Sequence, residues 1–253
     1  MKIKALSERL FRAAFDRANG VVGALGIFVV AGLLVGIAGT WAFAALASEV
    51  REGETQAFDE AVIQWMGAHR SPTLDASMVE VTALGTWPVV LMIVIVTGLF
   101  LTLSDRKYSA ILLLVSAGGG LLLNGVLKLG FNRPRPSIFL PVVQAVSSSF
   151  PSGHAMSSAI VYGTVAYLAA RLHRRRWARW LVMAFAFVVI VLISFSRMYL
   201  GVHYPSDVVA GVMIGLAWAG FCMATLEGVQ RFRPRRASPI LGEEEPARAA
   251  SGS

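Results

Sequence analysis

Three short stretches of this 253-residue chain gather residues able to do chemistry together. The first runs from Lys128 through Asn132-Arg133-Pro134-Arg135-Pro136, the second is Pro151-Ser152-Gly153-His154, and the third runs from Ser196-Arg197 to His203-Tyr204-Pro205-Ser206-Asp207. Arginine forks and a lysine point charge are the donors that hold phosphoryl oxygens. Two imidazoles and a carboxylate can attack, donate protons and accept them. A cationic pocket with such groups is what phosphate binding and phosphoryl transfer require. On composition alone His154, His203 and Asp207 could also make a three-ligand metal site. The four flanking cations Lys128, Arg133, Arg135 and Arg197 would repel a metal ion, so no metal and no cofactor is expected.

The elements that must position these residues are membrane spans. Apolar residues make up 56% of the chain and charged ones only 15%, against about a quarter in a soluble domain. The runs Val21–Ser48, Thr86–Ser104, Ser109–Leu127, Ala155–Ala170, Trp180–Ser196 and Val208–Leu226 hold no charge at all. Each approaches or exceeds the roughly 20 apolar residues that cross the hydrocarbon core. Barrel strands would alternate instead. The reading is an all-α polytopic membrane bundle of about six transmembrane helices. The first run is far longer than a signal-peptide core and reads as a retained anchor. Cys222, the single cysteine, lies in the last run and reads as a small core residue.

Charge distribution sets an expected orientation. With the N-terminus inside, residues 1–20, the turn at Asp105-Arg106-Lys107, residues 171–179 and the tail from 227 hold 17 of the 23 Lys and Arg. The 49–82 connection is acidic, with Glu49, Glu52, Glu54, Asp59, Glu60, Asp75 and Glu80. The positive-inside rule then places both termini in the cytoplasm and all three chemical stretches on the outer face. Residues 1–20 read as a cytoplasmic amphipathic segment, residues 21–226 as the six-helix domain, and 227–253 as a disordered cytoplasmic tail. Phe58–His69 reads as an interfacial helix within the outer connection. No basic face suited to a nucleic-acid duplex is present, despite a net charge of +8.

Lys128-x6-Arg135-Pro136, Pro151-Ser152-Gly153-His154 and Ser196-Arg197-x5-His203-x3-Asp207 resemble the three signature motifs of the type 2 phosphatidic acid phosphatase superfamily. That family includes membrane lipid phosphatases and is related to vanadium-dependent haloperoxidases, which are soluble. The resemblance spans roughly residues 55–226 and is complete at all three motifs, in order. It implies that His203 is the nucleophile, forming a phosphohistidine, that Asp207 fixes its tautomer, and that His154 is the general acid. It implies phosphate binding by Lys128, Arg135 and Arg197. Ser152 and Gly153, where a helix begins, could offer backbone N–H groups to an anion.

Other residues read more plainly. His69 and His173 read as solvated, Asn124 and Gly118-Gly119-Gly120 as close helix packing, and Arg174-Arg175-Arg176 as a topology signal. Arg133 is open between a second phosphate ligand and a headgroup-facing charge. The leading function is an integral-membrane lipid phosphatase acting at the outer face of a bacterial inner membrane. Undecaprenyl pyrophosphate or phosphatidylglycerol phosphate is the expected substrate, with membrane lipids as surroundings. A lipid phosphotransferase is the alternative within the enzyme class, and a non-catalytic anion or lipid carrier outside it. A carrier needs no acid–nucleophile pair.

Overall fold

The computed structural model describes residue 30, residues 32–139 and residues 147–232. Regular structure among them is helical: α1 (Gly32–Glu52), α2 (Gln56–Ala68), α3 (Pro72–Ala83), α4 (Trp87–Leu103), α5 (Lys107–Gly130), α6 (Gly153–Leu172), α7 (Arg176–Tyr199) and α8 (Pro205–Phe232). Helices α1 and α5 to α8 are each long and apolar enough to cross a membrane. At 1.5 Å per residue a 24-residue helix is about 36 Å long, against a hydrocarbon core of about 30 Å. Helix α4 has only 17 residues. It follows α3 across a break bent by 42°, and the bent pair makes a sixth candidate span.

The last four charge-free runs each lie inside a helix that continues a few residues beyond them. The extra turns carry the residues that face the membrane boundary, Lys128, Arg197 and Asp207 among them. Two expected boundaries move. Residues 72–83 form helix α3 where a mere connection was expected; Ser71 opens it by accepting a hydrogen bond from the Leu74 N–H at 3.3 Å, with Pro72 at its first position. The tail expected from 227 is helical through Phe232, and Glu227 pairs with Arg171 at 2.7 Å. The amphipathic segment 1–20, the start of the first run and residues 233–253 lie outside the described residues.

Helix α6 lies at the centre, packed against α5, α7 and α8. Lipid tails are as apolar as leucine, so helices in a membrane associate through close packing rather than hydrophobic expulsion. Small residues allow that approach. A Cβ at Gly211 would meet the Ser152 carbonyl oxygen at 2.6 Å, and one at Gly215 would meet the Met156 carbonyl oxygen at 2.8 Å. On the other side of α8, α1 packs equally tightly, with a Cβ at Gly39 reaching Ala217 at 2.9 Å. A hydrogen bond from Trp218 Nε1 to the Ser116 carbonyl, 2.9 Å, ties α8 to α5. The outward faces carry exposed Leu122, Leu129, Trp180, Phe185 and Phe187, which suit lipid contact.

Helix α2 covers the expected interfacial segment 58–69 to within two residues. Its inner face is Asp59, Ile63 and Met66, spaced i, i+4 and i+7, while Phe58 and Trp65 face outward. Asp59, one of the acidic residues of the outer connection, is thus buried.

Candidate active site

Chain direction brings the three chemical stretches to one end of the bundle. Helices α5 and α7 end there, while α6 and α8 begin there. Between them, and bounded on the open side by the α3–α4 break, is a cavity of about 640 Å³. Lys128, Arg135, Gly153, His154, Arg197 and His203 all line it. Its remaining wall is largely apolar, including Val90, Val94, Leu114, Ile160 and Val161.

Local sequence explains how each group is held. Helix α7 closes at Tyr199, and Gly201 takes a positive φ of +73° that a side chain would strain. A Cβ there would also collide with the Phe139 ring. This tight exit delivers His203 immediately ahead of Pro205, which opens α8. Asp207 is at the third helical position, and its Oδ2 accepts from the Tyr204 N–H at 2.8 Å. That is one half of a capping box, a carboxylate satisfying the N-cap amide.

His203 is 2% exposed, and Arg135 Nη1 lies 3.3 Å from its Nε2. A guanidinium can only donate, so Nε2 is the lone-pair nitrogen and Nδ1 carries the hydrogen. Asp207 Oδ2 is 3.6 Å from Nδ1, longer than a hydrogen bond. The expected direct hydrogen bond is therefore a close electrostatic contact, and Nδ1 has no partner among the described residues. Oδ2 is instead bonded by the Ser149 hydroxyl and the Tyr204 amide. Burial pushes the His203 imidazole down to about 4; Asp207 opposes this, and Arg135 and Arg197 reinforce it. The ring is neutral at physiological pH.

The three cations surround the cavity mouth. Arg135 donates to the carbonyls of Ser147 (2.9 Å) and Val202 (2.6 Å). Lys128 Nζ donates to the Ser147 hydroxyl at 3.0 Å and the Ser148 carbonyl at 3.1 Å. Arg197, 5% exposed, donates to Thr82 Oγ1 at 2.8 Å, leaving its Nε without a partner among the described residues. Lys128 and Arg197 keep donors to spare for a phosphoryl group, whereas Arg135 also donates to the Ser147 hydroxyl at 3.3 Å and the Ser148 carbonyl at 3.5 Å and would have to exchange a partner to bind one.

Two expectations need correction. Ser152 does not line the cavity, and its N–H is already given to the Asp207 carbonyl at 2.9 Å. It ties α6 to α8 instead of offering an anion site. Gly153 does line the cavity; as the first helical residue, it has no intrahelical partner for its N–H. Arg133 takes neither expected role. It bridges Asp207 Oδ1 (2.6 Å) and Asp59 Oδ2 (2.8 Å), and its side chain is largely buried away from the cavity.

Other residues at the site escaped the sequence reading. Asn124, read there as packing, lines the cavity one helical turn before Lys128, and its buried Oδ1 has no partner among the described residues. Thr82, Gly85, Thr86 and Trp87 come from the α3–α4 break. Gly85 allows that break to press on His154, since a Cβ there would meet His154 Cδ2 at 3.1 Å. Of the glycine run, Gly119 and Gly120 do pack closely, against Trp218 and Ile160, while Gly118 and Gly120 line the cavity. His69 and His173 are exposed and do not line it.

Known proteins resemble this chain over most of its length. The family model described as the PAP2 superfamily matches residues 109–231. Phosphatidylglycerophosphatase B of Bacillus subtilis is 34% identical over 76% of this chain and 95% of that protein. Undecaprenyl-diphosphatase BcrC, also from Bacillus subtilis, is 28% identical over 59% of this chain and 73% of its own. The crystal structure of a transmembrane PAP2 type phosphatidylglycerolphosphate phosphatase from Bacillus subtilis superposes with a TM-score of 0.73 at 33% identity, covering 78% of this chain and 98% of that one. Aquifex aeolicus LpxE aligns with a TM-score of 0.54 at 26% identity, over 66% of this chain and 94% of its own. By its three motifs, its helical bundle and these matches, the chain is a member of the PAP2 superfamily of membrane phosphatases.

Proposed function

We propose that this protein hydrolyses lipid phosphates at the outer face of a bacterial inner membrane, through a phosphohistidine on His203. The observation that carries this reading is one cavity with two characters. Its mouth holds three cations and two imidazoles, and its interior is lined by valine, leucine and isoleucine. A lipid phosphate has the same division between ionic head and apolar tail.

In this reading the neutral Nε2 of His203 attacks phosphorus while the P–O bond to the lipid breaks. The departing oxygen takes a proton from His154. Lys128, Arg135 and Arg197 stabilise the charge spread over the equatorial oxygens. Water then attacks phosphorus and gives a proton back to His154, the P–N bond breaks with its electron pair returning to His203 Nε2, and inorganic phosphate leaves. Phosphatidylglycerol phosphate and undecaprenyl pyrophosphate are the substrates to test first, being those that the names of these relatives carry. Purified protein in detergent, given each in turn, releases phosphate from at least one of them; binding without release from either would leave a carrier.

The cations already supply the charge that a metal ion would bring. Phosphate release therefore continues undiminished in excess EDTA. Loss of activity that added metal restores would contradict this.

The low value at His203 has a pH consequence. Neutral imidazole is the attacking form, so activity is lost as pH falls through the folded value. That midpoint is near 4 in the free enzyme, rather than the ordinary 6.5. An ordinary imidazole would be only about 3% neutral at pH 5. The acid limb of kcat/KM, measured with two substrates whose phosphates ionise at different pH, keeps its common component near 4. A common limb near 6.5 would refute this picture of the histidine.

The outward orientation is tested by labelling. In a Cys222→Ala background, Glu54→Cys, exposed just after α1, reacts with an impermeant thiol reagent in intact cells. Arg174→Cys, exposed between α6 and α7, reacts only after lysis. The reverse pattern would invert the topology.

A further inference from the structure

We propose that Asp59 and Arg133 are positioning residues that aim and charge the Asp207 carboxylate beside His203, an inference that rests on His203 being the nucleophile. Asp59 belongs to α2, outside the three motifs and outside the family match, yet it is fully buried. It accepts the Ser206 N–H at 3.0 Å, the Ser206 hydroxyl, and Arg133 Nη2 at 2.8 Å. A carboxylate at the N-terminal turn of α8 also complements the helix dipole. Arg133 Nη1 donates onward to Asp207 Oδ1 at 2.6 Å and to Ser206 Oγ at 2.8 Å, and the guanidinium lies 4.4 Å from the Tyr204 ring centroid. Neither Asp59 nor Arg133 lines the cavity, so neither touches substrate.

The geometry fixes Asp207 at both oxygens. Arg133 holds Oδ1, which turns Oδ2 toward His203 Nδ1. An arginine serving Asp207 alone would neutralise it and leave the imidazole facing only the cations Arg135, Arg197 and Lys128 and the second imidazole, His154. Asp59 changes that balance. Two carboxylates on one guanidinium leave a net negative trio, and the imidazole gains positive charge as Nε2 bonds to phosphorus. A preorganised negative potential on the Nδ1 side favours that transition state. The fork geometry of arginine is needed to reach both carboxylates at once.

The test is a double-mutant cycle on the full-length protein in detergent, with phosphatidylglycerol phosphate or undecaprenyl pyrophosphate, whichever is turned over. Asp59→Asn, an isosteric change, lowers kcat about tenfold while KM stays within about twofold. In an Asp207→Asn background the same change costs no more than about twofold further, because its target is already gone. A merely structural role would lower the melting temperature and cost the same factor in both backgrounds. Full kcat in Asp59→Asn, or additive losses, would overturn the inference. If Asp59→Asn does not fold, Arg133→Lys, which keeps the charge and loses the fork, is carried through the same cycle with the same expectations. His203→Ala separates the two levels: residual activity there sinks the proposed mechanism, whereas a dead His203→Ala with unaffected Asp59→Asn sinks this inference alone.

Discussion

Replacing His203 with alanine is expected to abolish turnover of every substrate, because among the described residues no other imidazole nitrogen has the Arg135 guanidinium beside it. The companion variant His154→Ala behaves differently. A lipid alkoxide has a high pKa and needs a proton as its bond breaks, whereas a nitrophenolate leaves with little help. General acid catalysis contributes about 10²–10⁴-fold. The kcat/KM of His154→Ala therefore falls by about that range on a lipid phosphate and by less than about tenfold on an aryl phosphate. Equal losses on both would remove His154 from the acid role.

The second large effect is structural in origin. Gly211 and Gly215 let α8 lie directly on α6, with backbone carbonyls of Ser152 and Met156 within 2.6 and 2.8 Å of where a Cβ would stand. Backbone cannot move aside as a flexible side chain can. Gly211→Val therefore pushes the start of α8, with Asp207 and the preceding His203, away from the helix that bears His154. A displacement of about 1 Å at a catalytic constellation costs on the order of 10²-fold in rate. Gly98→Val, at a position with nothing within 4 Å, is the control and leaves kcat unchanged. Near-native activity in Gly211→Val would show that the α6–α8 contact does not set the site.

Much of this molecule is legible in its sequence, for identifiable reasons. Spans announce themselves because membrane helices exclude charge locally, and the four runs from Ser109 onward each fall inside one helix. The meeting of Lys128, Arg135, His154, Arg197 and His203 is legible because alternating chain direction puts the ends of α5 and α7 and the starts of α6 and α8 on one face. What escapes is partnership across the fold. Asp59 reads as one more acid in an acidic connection, and nothing nearby in sequence says that Ser206 and Arg133, about 147 and 74 residues away, will bury it. Arg133 reads as a cation among cations, yet two carboxylates claim its donors. The Ser152 N–H is taken by a carbonyl on another helix, a pairing that backbone accounting reveals only in three dimensions. Helix α3 carries a proline start and a serine cap, but its mixed composition hides it between two apolar runs.

The most direct measurement is to trap the covalent intermediate. Protein mixed briefly with a lipid phosphate labelled at phosphorus, then denatured in alkali, carries label on His203, stable in base and lost in acid as a phosphoramidate is. His203→Ala carries none and releases no phosphate. A wild-type protein that turns over rapidly without ever holding label, together with a His203→Ala variant that still releases phosphate, would contradict the account at its centre.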